Sequence, residues 1–239
     1  MYIGQIMRTD LVTVPPETTL VEARELIERH RIGHLLVVDG KGRLAGIVSD
    51  RDLRLNWASP ATTLSVHELH YLLPKVELGA IMVDNVITVT PDTTIERAAH
   101  IMQTQVISSL PVMAAGRLVG IVTRTDVMGV LLQAIGMGGE SRRLGVLVDD
   151  RIGRLAEVTA ILRDQRTNIQ SLFCWPVTGF PDISHLVIRV AASDGEQAIA
   201  ALEAGGFKVL TRYERDLRPF LPRIPAAQPP VADHGPGKK

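Results

Sequence analysis

The chain has a single cysteine, Cys174, among 239 residues. A lone thiol cannot close an internal disulfide, and it fits a reducing compartment. Net charge is missing as well: 26 basic residues balance 26 acidic ones. A balanced chain has no broad electrostatic footprint for nucleic acid. There is no long apolar run either. The most apolar stretch, VMGVLLQAIGMGG (Val127–Gly139), is broken by Gln133 and Gly136 and is too short to span a bilayer. The first residues, MYIGQIMRTD, lack the basic-then-apolar pattern of a secretory signal. These absences predict a cytoplasmic protein that binds neither nucleic acid nor membrane.

Catalytic signatures are missing too. The sequence has no Walker A phosphate loop, dinucleotide fingerprint, HExxH, CxxC or GxSxG. The seven histidines (30, 34, 67, 70, 100, 185 and 234) give no metal-ligand spacing beyond the near pair His67–His70. Cys174 lies in the predicted strand SLFCWP, where packing is expected rather than reactivity. The expectation is therefore no enzyme, no metal and no required cofactor. The contrary reading is an enzyme built on His67, His70 or Cys174.

What the chain does have is a repeat. Residues 6–39 moved forward by 75 fall on 81–114, so that Ile6-Met7 meets Ile81-Met82 and Thr18-Thr19 meets Thr93-Thr94. After one deletion in a turn, RLAGIVSDRD lies over RLVGIVTRTD. Each copy reads as strand, helix, strand, strand, helix. Thr19–Glu22 and Thr93–Glu96 have capping-box spacing. Ala23, Leu26 and Ile27, and Ala98, Ile101 and Met102, form the apolar faces of the first helices. One such unit alone is marginal, so two are expected to pack together.

The predicted organisation is repeat 1 over 1–58, a spacer over 59–78 and repeat 2 over 79–136. A glycine-rich linker covers 137–143, a third unit 144–216 and a disordered Pro-rich tail 217–239. The spacer carries a predicted helix from Ser65 to Lys75 that covers the junction of the repeats. The third unit reads β-α-β-β-α-β, a ferredoxin-like order. Its first helix turns Leu155, Val158, Ile161 and Leu162 inward, and FKVLTRYER is its last strand.

The phrases GIVSDRD (46–52) and GIVTRTD (120–126) have two readings. Ser49–Asp52 and Thr123–Asp126 have the spacing of helix caps. The same geometry suits a nucleotide. A helix N-terminus favours phosphate, a hydroxyl adds a donor, and the Asp accepts from ribose. On that reading Gly46 and Gly120 keep the floor open for a base.

On IM…VTV…TT…A…I..HLLVVD..GRLAGIVSDRD and IM…ITV…TT…A…I..SLPVM..GRLVGIVTRTD, residues 1–130 resemble a tandem pair of CBS domains, a Bateman module. The resemblance implies an adenosine nucleotide (AMP, ADP, ATP or S-adenosylmethionine) in clefts between the copies. Asp52 and Asp126 would hold ribose, and Ser49 and Thr123 would lie near phosphate. The base would lie against Thr13 and Ile32–Leu35 in one cleft, His34 included. In the other it would lie against Thr88 and Ile107–Pro111, that is Ile107, Ser109, Leu110 and Pro111. Arg51 and Arg124 would reach phosphates across the cleft, and the site with Thr123 and Asp126 is favoured. Leu36 departs from the family, where Pro is common. His34 would contact phosphate or simply pack.

VDDRIGRLAEV and TNIQSL in the third unit resemble an ACT domain. That implies an amino acid held at a dimer interface by the loop Asp150–Leu155, with Asp150, Gly153 and Leu155, and by Asn168. The other reading is dimerisation through the sheet alone, with Gly153 and Asn168 as turn formers. Ile152 stands where the family often has Pro. A CBS pair followed by ACT, with the spacer SPATTL…HELHYLLPK, resembles the acetoin-utilisation regulatory (AcuB-like) family. The α/β chain is thus expected to be a non-catalytic sensor, at least a homodimer, acting on an unknown partner enzyme. The alternative is a structural adaptor with empty clefts.

Overall fold

The computed structural model describes residues 1–57, 68, 71–137 and 139–222. Residues 65–67, 69 and 70 of the predicted spacer helix, His67 and His70 among them, and the tail beyond 222 lie outside the described residues; residues 71–72 are helical and Leu73–Lys75 form a 3-10 turn. The chain divides into two compact units, Met1–Val130 and the residues from Leu131 onward.

In the first unit, repeat 1 comprises β1 (Thr13–Val14), α1 (Leu20–His30), β2 (His34–Val38), β3 (Leu44–Ser49) and α2 (Asp50–Asn56). Repeat 2 comprises α3 (Ile95–Thr104), β4 (Ser109–Ala114), β5 (Arg117–Thr123) and the residues up to Val130 of α4 (Arg124–Ala134). α1 starts where a capping box tells it to: the Thr19 side chain accepts from Glu22 N, and the Glu22 carboxylate accepts from Thr19 N at 2.9 Å. In repeat 2 the cap is Thr94, not Thr93, accepting from Arg97 N at 3.2 Å. Thr93 instead turns its hydroxyl oxygen to Thr90 N, so the predicted Thr93–Glu96 box does not form.

β2 runs parallel to β1 and antiparallel to β3. β4 and β5 repeat the antiparallel pair, while Val89 alone bridges Val112 in parallel. A register shift after Val37 recurs after Val112, at the same repeat position. Alternation along the strands sends Leu35, Val37 and Val48 into one core with Leu20, Ala23 and Ile27. Leu110, Val112 and Val122 enter the equivalent core with Ala98 and Met102.

Each repeat lends its leading residues to the other. Ile3, fully buried, sits in the core of repeat 2, and Leu78, also fully buried, sits in the core of repeat 1. The backbone follows the same exchange: Ile3 N donates to Thr93 O at 2.8 Å, and Leu78 N donates to Thr18 O at 2.9 Å. Burying a side chain of this size contributes about 1.5–3 kcal/mol. The exchange therefore ties the two repeats into one folding unit.

The second unit contains β6 (Ser141–Asp149), α5 (Arg154–Asp164), β7 (Ile169–Val177), β8 (Phe180–Ala191), α6 (Gly195–Ala204) and β9 (Val209–Leu210). The sheet order β7-β8-β6-β9 is that of a split β-α-β fold. Leu144, Val146, Val148, Ile188 and Val190 pack with Val158, Leu162, Ala198 and Leu202.

Several sequence expectations are corrected here. Ser141–Arg143, read as linker, already belong to β6. Leu155 is 45% exposed instead of turned inward, because it lies in the first turn of α5. β9 has only two residues. Cys174 is exposed rather than packed. Leu217, Phe220 and Leu221, read as tail, pack against Leu147, Ile183 and Leu210. An apolar sheet face was there to cover.

Candidate functional site

The exchange of leading residues shapes two clefts between the repeats. Met7 and Arg8 lie against β5, where Arg8 N donates to Ile121 O at 2.9 Å and Ile121 N donates back at 3.0 Å. Met82 and Val83 lie in the same way against β3, with both bonds between Val83 and Ile47 at 3.0 Å. Each cleft is therefore closed by the leading segment of one repeat and the phrase of the other.

The first cleft, of about 740 Å3, runs from Met7–Val12 and His30–His34 to Thr123–Thr125. The second, of about 640 Å3, runs from Ser49–Asp52 and Leu55 to Asn85–Ile87 and Val106–Ser109. Both volumes suit a nucleotide-sized ligand. Gly33, His34 and Ser108 line both clefts and form the wall between them. His34 Nε2 lies 2.8 Å from Ser108 Oγ. Burial lowers the pKa of the His34 ring, and the nearby Asp52 carboxylate opposes that shift.

The phrase residues do act as caps. Asp52 Oδ2 accepts from Ser49 N at 2.8 Å and from Ser49 Oγ at 2.6 Å. Asp126 Oδ2 accepts from Thr123 N at 2.9 Å and from Thr123 Oγ1 at 2.5 Å. The hydroxyl protons of Ser49 and Thr123 are thus committed to carboxylates. The second oxygens differ. Asp126 Oδ1 accepts from Arg8 Nη2 at 3.0 Å and Nε at 3.3 Å. Burial alone would raise the Asp126 carboxyl. The Thr123 hydroxyl and amide, with the Arg8 guanidinium, hold it below the usual range. Asp52 Oδ1 has no hydrogen-bond partner among the described residues.

Of the residues expected at a site, the first cleft gathers Ile32, His34, Thr123 and Arg124. The second gathers His34, Ser49, Arg51, Asp52, Ile107 and Ser109. Thr13 and Thr88 are exposed and line neither cleft; their neighbours Val12 and Ile87 do. Leu35 and Leu110 point into the cores, and Leu36 takes the cleft side. Pro111 is buried away from both clefts. Asp126 stands behind Arg8 rather than in the lining.

Gly46 and Gly120 do not hold open space for a base. A Cβ at either would meet a methionine sulfur at 2.5 Å, that of Met82 or of Met7. They let the exchanged segments lie close. Sequence reasoning missed Arg8, Val83 and Ile87. The repeat offset that pairs Arg8 with Val83 carried the available signal.

In the second unit, Asp150, Leu155 and Asn168 are exposed, and Gly153 has φ +95°. A cavity of about 640 Å3 there takes only Arg154 from the predicted loop, alongside Phe207, Lys208 and Phe220. Asp149, 7% exposed, accepts from Arg151 Nε at 2.8 Å and also from Arg154. Among the described residues, no group of three or more His, Cys, Asp or Glu could hold a metal ion. No described helix is long and apolar enough to cross a membrane.

Comparisons with known proteins follow this division. A family model for the CBS domain matches residues 3–58 and 78–133. A model for the AHAS small subunit-like ACT domain matches residues 144–204. A CBS domain-containing protein of Dictyostelium discoideum is 34% identical over 136 residues, covering 56% of this chain and 94% of its own. The crystal structure of a candidate acetoin utilization protein (AcuB) from Vibrio cholerae is 30% identical. It covers 56% of this chain and 91% of that one, with a TM-score of 0.46. The crystal structure of CBSX2 in complex with AMP is 33% identical. It covers 55% of this chain and 96% of that one, with a TM-score of 0.45.

Proposed function

The chain belongs to the CBS-domain proteins and carries an ACT-like domain behind its pair, and we propose that it is a regulatory sensor of an adenosine compound. One observation carries the reading: among the described residues the second oxygen of Asp52 has no hydrogen-bond partner, beside a cleft with an apolar wall. Val83, Ile87, Val106 and Ile107 supply the apolar wall for a base. A carboxylate oxygen with no partner among the described residues is a ready acceptor for ribose hydroxyls. Asp52 is therefore the ribose residue of the second cleft, while Asp126 Oδ1 is covered by Arg8. His34, on the shared wall, meets a ligand in either cleft.

Ligand binding biases the arrangement of the two repeats, because residues of both close on the same molecule. The bias equals the difference in affinity for the two arrangements. The ACT-like domain takes an amino acid or joins two copies, and a partner enzyme receives the output. A thermal-shift titration with adenosine, AMP, ADP, ATP and S-adenosylmethionine tests the reading. At a hundred times its dissociation constant a ligand adds about 2.7 kcal/mol of stability. A shift lost in Asp52→Ala supports the sensor. No shift with any of them sinks it. The capping role of both acids would then be their whole role, and a structural adaptor would remain.

A further inference from the structure

Positions 8 and 83 are one position of the repeat, with the same two backbone bonds to the facing strand. Their side chains are opposites. Arg8 places its guanidinium on Asp126, 3.0 Å away, in a cleft that also holds Arg31 and Arg124 against Asp10. Val83 leaves Asp52 uncovered, in a cleft whose charges are Arg51, Asp52 and an Asp50 that is already paired with Arg54. The first cleft carries an excess of cations; the second does not, since Arg51 is offset by Asp52 and Asp50 is paired with Arg54.

We propose that the Arg8–Asp126 ion pair makes the first cleft selective for phosphorylated nucleosides, while the second accepts nucleosides without phosphate. This rests on the adenosine reading above and adds the ligand class of each cleft. The Arg8 side chain is 58% exposed, so the pair is held weakly and can open. A phosphate offers the guanidinium fork a replacement anion with bidentate geometry. The exchange frees Asp126 Oδ1 for a ribose. An uncharged nucleoside must displace Arg8 and return nothing to it. A cationic sulfonium fares worse, since it enters beside three arginines.

The test uses the full chain, with binding of ATP and of adenosine measured by calorimetry. In Asp52→Ala protein, which isolates the first cleft, ATP should bind at least tenfold more tightly than adenosine. Adding Arg8→Val, which installs the side chain of the equivalent repeat position, should remove that preference. Arg8→Lys, which keeps the charge, should retain part of it and guards against a folding defect. Equal affinities in Asp52→Ala, or a preference that Arg8→Val leaves unmoved, overturn the inference. If all binding vanishes in Asp52→Ala, the inference falls and the sensor stands. If the unaltered chain binds neither compound, both fall.

Discussion

His34 Nε2 lies 2.8 Å from Ser108 Oγ, and the two residues form a wall common to both clefts. The bond crosses from the start of β2 in repeat 1 to the residue before β4 in repeat 2. Both clefts are therefore lined by the same imidazole.

That imidazole should give the fold a pH dependence of known sign. Burial holds the folded pKa of His34 below its ordinary value of about 6.5. Between the folded value and about 6.5, the unfolded chain binds a proton that the folded chain does not. Stability therefore falls as pH falls through that window and levels off below it. One such proton contributes at most about 1.4 kcal/mol per pH unit. Urea unfolding at pH 7.5 and 5.5 should show a smaller loss for His34→Gln than for the unaltered chain. An identical loss in both would remove His34 as the origin.

Ser49 tests whether capping and binding are separable. Its hydroxyl is donated to Asp52 and its oxygen accepts from Asp52 N at 3.2 Å, so it has no proton left for a ligand. Ser49→Ala should lower stability by about 1 kcal/mol, the usual loss of an N-cap. Adenosine affinity should change less than for Asp52→Ala. A larger loss of affinity in Ser49→Ala would return the hydroxyl to the ligand.

The glycines of the repeated phrase should be intolerant for a packing reason. At Gly46 an added Cβ meets the Met82 sulfur at 2.5 Å and the Val83 carbonyl oxygen at 3.0 Å. The sulfur can swing aside. The carbonyl cannot, because it accepts from Ile47 N. Gly46→Ala should destabilise by about 1–3 kcal/mol, the range for overpacking. Gly120→Ala should be milder, since its nearest carbonyl, that of Arg8, is 3.2 Å away. Melting curves of the two variants order them directly.

Much of the core was legible because the repeat prints its periodicity twice. Ala23 and Ala98, Leu35 and Leu110, and Val37 and Val112 all fall where the alternation puts them. The exchange of Ile3 and Leu78 was not legible. Two equal copies present the same pattern whichever partner receives the segment. The same blindness hid the pairing of Arg8 with Asp126, which lie 118 positions apart. Thr13 and Thr88 stand one residue away from the cleft residues Val12 and Ile87. A short strand with mixed burial gives parity little to grip. Leu155 misled for another reason: a first-turn residue shares the apolar period of α5 without reaching the sheet.

Asp149 anchors the loop ahead of α5, and its part there can be tested without knowing any ligand. Its carboxylate accepts from Arg151 and Arg154, and both arginines also reach Glu157. Arg154 lies over the Phe207 ring, 5.7 Å from its centre, with its side chain 17% exposed. Removing the acid leaves a nearly buried guanidinium with Glu157 alone. Asp149→Asn should therefore destabilise by about 1–3 kcal/mol, the penalty for an under-satisfied buried partner. Burial alone would raise the Asp149 carboxyl, but the hydrogen bonds and charge of Arg154, with Arg151, hold it below the usual range. Its contribution is thus complete above about pH 3.9 and is lost as pH falls through the folded value. The difference between the unaltered chain and Asp149→Asn should be constant near neutrality and shrink only in acid. A difference that is already absent at pH 7 would mean the two arginines hold the loop through Glu157 instead.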